Sequence, residues 1–106
     1  MHVTITRTKA QSDQPLEVST IVGEEMTSWL RQIDGFEGLL MLANEAGTVN
    51  LALTFWRDRE VAERHRVARR GLREGVTAAV RATVEEVVDY EVTFAELGAR
   101  LAAPQR

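Results

Sequence analysis

The sequence predicts an α+β fold with elements in the order β-α-β-β-α-β. Three observations carry that expectation. Val3 and Ile5 alternate with Thr4 and Thr6, and Val88, Tyr90, Val92 and Phe94 alternate with Asp89, Glu91 and Thr93, so strands open and close the pattern. Two apolar runs, Leu39–Leu42 and Leu51–Phe55, flank Asn44-Glu45-Ala46-Gly47, the signature of an antiparallel hairpin. Two stretches with apolar residues at helical spacing fill the gaps between these strands.

The elements follow in order. After the first strand, Gln11–Gln14 are polar turn residues. Ser12 or Asp13 can cap a helix, and Pro15 suits its first turn because its missing N–H would be unpaired there anyway. Val18, Val22, Met26, Trp29 and Ile33 form the inner stripe of this helix, with Glu17, Glu24, Glu25 and Arg31 on the wetter face. Gly35 ends it, since glycine tolerates the left-handed conformation. The hairpin follows. A second helix is expected from Arg59 to Ala82, with Val61, His65, Ala68, Leu72, Val76 and Ala79 on one face and Arg64, Arg66, Arg70 and Arg73 mostly off it. Gly71 and Gly75 weaken that helix by about 1 kcal/mol each relative to alanine and mark close packing or a bend. The last strand is expected at Val88–Phe94. The sum is one domain over residues 1–106, with its core at 2–97 and a short tail at 98–106: a four-stranded antiparallel sheet with two helices on one face, the ferredoxin-like plan.

Composition narrows the chemistry. With 16 acidic and 13 basic residues the net charge is −3, which gives no global pull towards nucleic acid or anionic membrane. Cysteine is absent, so disulfides, thiolate metal sites and thiol nucleophiles are excluded. The start, Met1 to Arg7, lacks the apolar segment of a signal peptide, and the longest aliphatic run, Leu39 to Ala43, is far too short to span a bilayer. A soluble, cytoplasmic protein is expected. No metal is expected either: His2 and His65 are the only histidines, and the pairs Glu24-Glu25 and Glu85-Glu86 read as solvated surface.

The block Gly35-Phe36-Glu37-Gly38-Leu39, the strand ending Thr54-Phe55-Trp56 and the helix start Arg57-Asp58-Arg59-Glu60 resemble the antibiotic biosynthesis monooxygenase family of dimeric α+β barrels. Asp34 stands where that family commonly has proline before Gly-Phe-x-Gly. The resemblance implies a homodimer whose sheets face each other. It also implies oxygenation of a small aromatic or polyketide-like compound with no bound cofactor. A physical argument supports the dimer: Leu51, Leu53 and Phe55 make one apolar face of the third strand, and two helices can cover only one face of the sheet.

His65 is the candidate catalytic base, because a histidine near its ordinary pKa of about 6.5 can take a proton from a substrate carbon at neutral pH. A cofactor-free oxygenase needs such a carbanion or enolate before dioxygen can react. Met26 and Trp29, with Phe36 and Tyr90, are candidates to wall a pocket for a flat ligand. Asn50, polar in an apolar strand, is a candidate to orient a ligand carbonyl. Trp56, where strand meets helix, reads as packing. Haem degradation, known among relatives of this fold, calls for an Asn on the first strand, a Trp where His65 stands and a His near Glu74 or Gly75; this chain departs from all three, and that activity is rejected. RNA-recognition modules share the element order, but the first strand here carries no aromatic residue on which a base can stack, and Asp58, Glu60, Glu63 and Glu74 partly neutralise the arginines of helix two. The competing reading is a non-catalytic ligand-binding or structural homodimer of the same fold.

Overall fold

The computed structural model describes residues 1–9, 17–79 and 81–102. The elements are β1 (His2–Lys9), α1 (Glu17–Leu30), β2 (Phe36–Ala43), β3 (Val49–Trp56), α2 (Arg59–Arg64), α3 (Arg66–Ala79), β4 (Thr83–Glu91) and α4 (Ala99–Ala102). The strands form one antiparallel sheet in the order β2-β3-β1-β4, the ferredoxin-like arrangement that the sequence predicts. The proposed helix caps Ser12, Asp13 and Pro15 lie outside the described residues.

Register decides which side chains share a face, because directly opposed residues in a sheet point the same way. Trp56 is opposed by His2 on β1 and by Phe36 on β2, and Thr54 by Thr4 and Leu39. The helices pack on this face. Leu30 of α1 and Val61 and Ala62 of α2 bury Trp56 completely, with Met26, Trp29, Ile33, Phe36 and Leu39 around them. The α1 backbone passes so close to β2 that a Cβ at Gly23 would lie 3.3 Å from Met41 Cγ. The opposite face carries Val3, Ile5, Leu40, Leu53, Phe55 and Val88, a contiguous apolar surface.

Gly35 sits at the hinge between α1 and β2. Its φ is +96°, and a Cβ there would come within 2.8 Å of a Val61 methyl. Only glycine meets both demands. The Gly35 carbonyl then accepts from the Arg57 amide at 2.7 Å, tying the start of the hairpin to its end.

Two expectations need correction. The predicted second helix is two helices, broken at His65 (φ −105°, ψ 13°) and not at its glycines. Asp58 caps α2 by accepting from the Val61 amide at 2.9 Å. At the other end the Ala62 carbonyl takes Nη2 of Arg69 at 2.6 Å. A side chain drawn into the backbone ladder is a recognised cause of a helix break. Gly71 and Gly75 lie within α3 with nothing within 4 Å of an added Cβ, so they serve neither close packing nor a bend. The last strand is also earlier than expected, at Thr83–Glu91. Its partner β1 begins at His2, so pairing ends with the Val92 amide on the Met1 carbonyl at 2.8 Å. Phe94 is beyond the sheet and exposed.

Candidate functional site

The helix face of the sheet is unusually polar for a surface under helices. Thr4, Thr6 and Thr54 are buried there beside Trp56, and His2 is only 5% exposed. Buried polar groups need partners, and these side chains build a network. His2 donates through Nδ1 to Glu91 Oε1 at 2.8 Å and through Nε2 to Asp89 Oδ1 at 3.0 Å. The Thr4 hydroxyl donates to the same Asp89 oxygen at 2.7 Å. Two carboxylates on two ring nitrogens require the imidazolium. Burial opposes that charge most strongly, but the hydrogen bonds from Glu91 and Asp89 outweigh it and raise the His2 pKa above its ordinary 6.5. Burial likewise opposes ionisation of Asp89, yet the His2 and Thr4 bonds bring its pKa below 3.8.

Arg69 reaches from α3 into the same layer. Its guanidinium carbon lies 5.0 Å above the Trp56 ring, within the range of cation–π attraction. Nη1 donates to Thr4 Oγ1 at 3.2 Å and Nη2 to the Ala62 carbonyl. Among the described residues, Arg69 Nε and Trp56 Nε1 are buried with no hydrogen-bond partner. Trp56 also meets Phe36 edge-on, ring centres 6.0 Å apart. The result is a cationic and aromatic centre between α2, α3 and the sheet.

The candidates from sequence fall into three groups. Met26 and Trp29 are half-buried against the Trp56 cluster, and Phe36 joins them there. His65 is half-buried at the α2–α3 break, and its carbonyl accepts the Arg69 amide at 2.9 Å. Among the described residues its ring makes no hydrogen bond. Asn50 lies on the helix side of β3, opposite Thr8 and Ala43. Six residues of strand nonetheless set it about 20 Å from Trp56, too far to meet the same small ligand at that end. Tyr90 is opposed by Val3, so it projects from the open face and is 53% exposed. It does not wall a pocket with Met26 and Trp29.

Arg69, Asp89 and His2 were not identified from sequence as site residues, and Trp56 was read as packing alone. One signal was present. Arg69 is four residues from His65 and three from Leu72, which places it on the inner stripe of the second helix. The arginines paired outward, Arg59 to Glu63 and Arg64 to Glu60, both at 2.9 Å, form the salt-bridged surface that the composition suggests.

No protein-family model matches the chain, and no curated protein does. Solved structures do. The ActVA-Orf6 monooxygenase of Streptomyces coelicolor, in complex with nanaomycin D, superposes with a TM-score of 0.65 at 16% identity, covering 92% of each chain. SnoaB, a cofactor-independent oxygenase from Streptomyces nogalater, gives 0.66 at 14% identity, covering 89% of this chain and 94% of its own. A candidate antibiotic biosynthesis monooxygenase from Deinococcus radiodurans gives 0.65 at 16% identity, covering 92% and 97%. The chain therefore has the fold of the antibiotic biosynthesis monooxygenases, the family that its Gly-Phe-x-Gly block resembles.

Proposed function

We propose that the protein is a cofactor-independent monooxygenase of a small aromatic or polyketide-like compound, working as a homodimer. The observation that carries this reading is the Arg69–Trp56 centre. On a fold shared with such oxygenases, it holds a partly exposed cation over a fully buried indole, between helices and sheet. A substrate with an acidic CH2 next to a phenol or ketone loses a proton to His65 at the rim of that centre. Arg69 favours the negative charge that develops on the substrate oxygen. The carbanion then gives one electron to dioxygen, and the two radicals combine to a hydroperoxide. Loss of water leaves a carbonyl. The balance is CH2 + O2 → C=O + H2O, with no outside reductant.

The homodimer is supported by the open face of the sheet. Ile5, Leu40, Leu53 and Phe55, half-buried on that face, form an apolar surface that a second copy, sheet to sheet, would cover. The absence of cysteine suits a reducing cytoplasm, the compartment proposed. Among the described residues no helix is long and apolar enough to cross a membrane.

A second reading, a non-catalytic ligand-binding homodimer, is favoured by one observation: no described side chain orients the His65 ring, whereas catalytic bases are usually held by a partner. Oxygen uptake with anthrone-type and phenolic compounds separates the two. The oxygenase consumes oxygen and His65→Ala does not, with folding intact; the binding module consumes none.

A further inference from the structure

The chain outruns its own sheet after β4. Pairing with β1 ends where the Val92 amide donates to the Met1 carbonyl at 2.8 Å, and residues 93–98 then lead to the short helix α4. Every residue from Thr93 to Leu101 is exposed. The segment is nonetheless apolar at intervals: Phe94 is 81% exposed, Leu97 65% and Leu101 58%. Val88 and Tyr90 project from the open face of the sheet, opposite Ile5 and Val3, and their alternation runs on in the sequence through Val92 and Phe94. The pattern that makes the open face apolar therefore continues past the point where the sheet stops.

We infer that residues 92–101 form an arm that clasps a second copy of this chain, laying Phe94, Leu97 and Leu101 against the rim of that copy's open sheet face. Area, reach and charge choose this occupant. The exposed surface of the three side chains comes to roughly 350 Å² per copy, close to half of the roughly 800 Å² that each partner gives to a stable interface. Residues 93–98 span roughly 20 Å when extended, whereas facing sheets pack roughly 10 Å apart, so the arm is long enough to cross from one sheet to the other. Between Val92 and Leu101 the charged residues are Glu96 and Arg100, which cancel and offer no attraction to anionic lipid or to nucleic acid. The open face supplies what the arm lacks in its own chain, the half-buried apolar side chains of Ile5, Leu40, Leu53 and Phe55. The inference rests on the proposed homodimer and deepens it: each subunit holds the other by its C-terminal segment as well as by its sheet.

The test is sedimentation equilibrium of the full chain, for the parent, Phe94→Asp, Leu97→Asp and the double variant. Each single change is expected to weaken the dimer about 10-fold and the two together more. Val67→Asp alters an equally exposed apolar residue on α3 and should leave the dimer unchanged. Far-UV circular dichroism should be the same for all, because Phe94 and Leu97 are exposed within one copy. Chymotrypsin cleavage after Phe94 should be slow in the dimer and faster on dilution to the monomer. A double variant that dimerises as tightly as the parent, or cleavage at Phe94 as fast in the dimer as in the monomer, would remove the arm and leave the sheet-to-sheet dimer. A variant that loses secondary structure would place the arm on its own chain and overturn the inference. A parent that is monomeric at all concentrations would remove arm and dimer together.

Discussion

The guanidinium of Arg69 lies 5.0 Å over the ring of Trp56, and the same side chain takes the carbonyl of Ala62 at 2.6 Å. One residue therefore joins the aromatic core, the end of α2 and the start of the polar network on β1. Removing it leaves a buried carbonyl and a buried threonine hydroxyl short of partners. Arg69→Ala is expected to lower stability by about 2–4 kcal/mol, from lost cation–π contact and unpaired polar groups. Arg69→Lys should recover only part of that, since an ammonium cannot span Thr4, Ala62 and the Trp56 face together. Urea denaturation checks both; an unchanged midpoint for Arg69→Ala would contradict the assignment.

The His2–Asp89–Glu91 network gives stability a defined pH window. The raised His2 pKa means that its stabilisation is fully present below 6.5, the value expected for the unfolded chain, and is lost as pH climbs through the higher folded value. The lowered Asp89 pKa acts in the other sense: its contribution is present above 3.8 and is lost as pH falls through the lower folded value. Melting temperature should therefore decline on the alkaline side of about pH 6.5, and His2→Gln should flatten that decline. A His2→Gln variant with the parent's alkaline slope would place the titrating group elsewhere.

Gly35 on one side, and Gly71 and Gly75 on the other, predict opposite effects of substitution by alanine. Gly35→Ala combines a left-handed φ of +96° with a Cβ only 2.8 Å from fully buried Val61, and a packed core cannot yield that space. A loss of about 1–3 kcal/mol is expected. Gly71→Ala and Gly75→Ala meet open space in the middle of α3, and each should stabilise by about 0.5–1 kcal/mol. Thermal melts of the three variants should move in these opposite directions.

The open face of the sheet can be tested by charge. Leu53→Arg places a cation among Ile5, Leu40 and their neighbours, where a monomer leaves it in water and a sheet-to-sheet dimer would bury it. Light scattering at micromolar concentration should give a dimer for the parent and a monomer for the variant. A monomeric parent would remove the dimer from the account.

The hairpin was legible in the sequence because its signals are local. The run Leu51–Phe55 and the turn before it need only their own neighbours, and the run lies within β3, Val49–Trp56. The break at His65 was not legible, because its cause is Arg69, a side chain from the next helix, acting on a carbonyl of the previous one. The last strand continued to Phe94 in the alternation of its residues but ends at Glu91, because the length of β1 limits it. The misplaced site residues have the same origin. Tyr90 alternates correctly as a strand residue, yet only the register against Val3 reveals that it points away from the helices. Conversely, His2 and Asp89 are 87 positions apart in sequence, and only the pairing of β1 with β4 brings them together.

Oxygen consumption by flavin-free and metal-free protein with an anthrone-type substrate tests the central claim most directly. The account predicts one dioxygen consumed per substrate oxidised, with a rate that falls by about 10²-fold or more in His65→Ala, the scale set by loss of a general base. Uptake no faster than the substrate's spontaneous oxidation, or a His65→Ala variant as active as the parent, would contradict it.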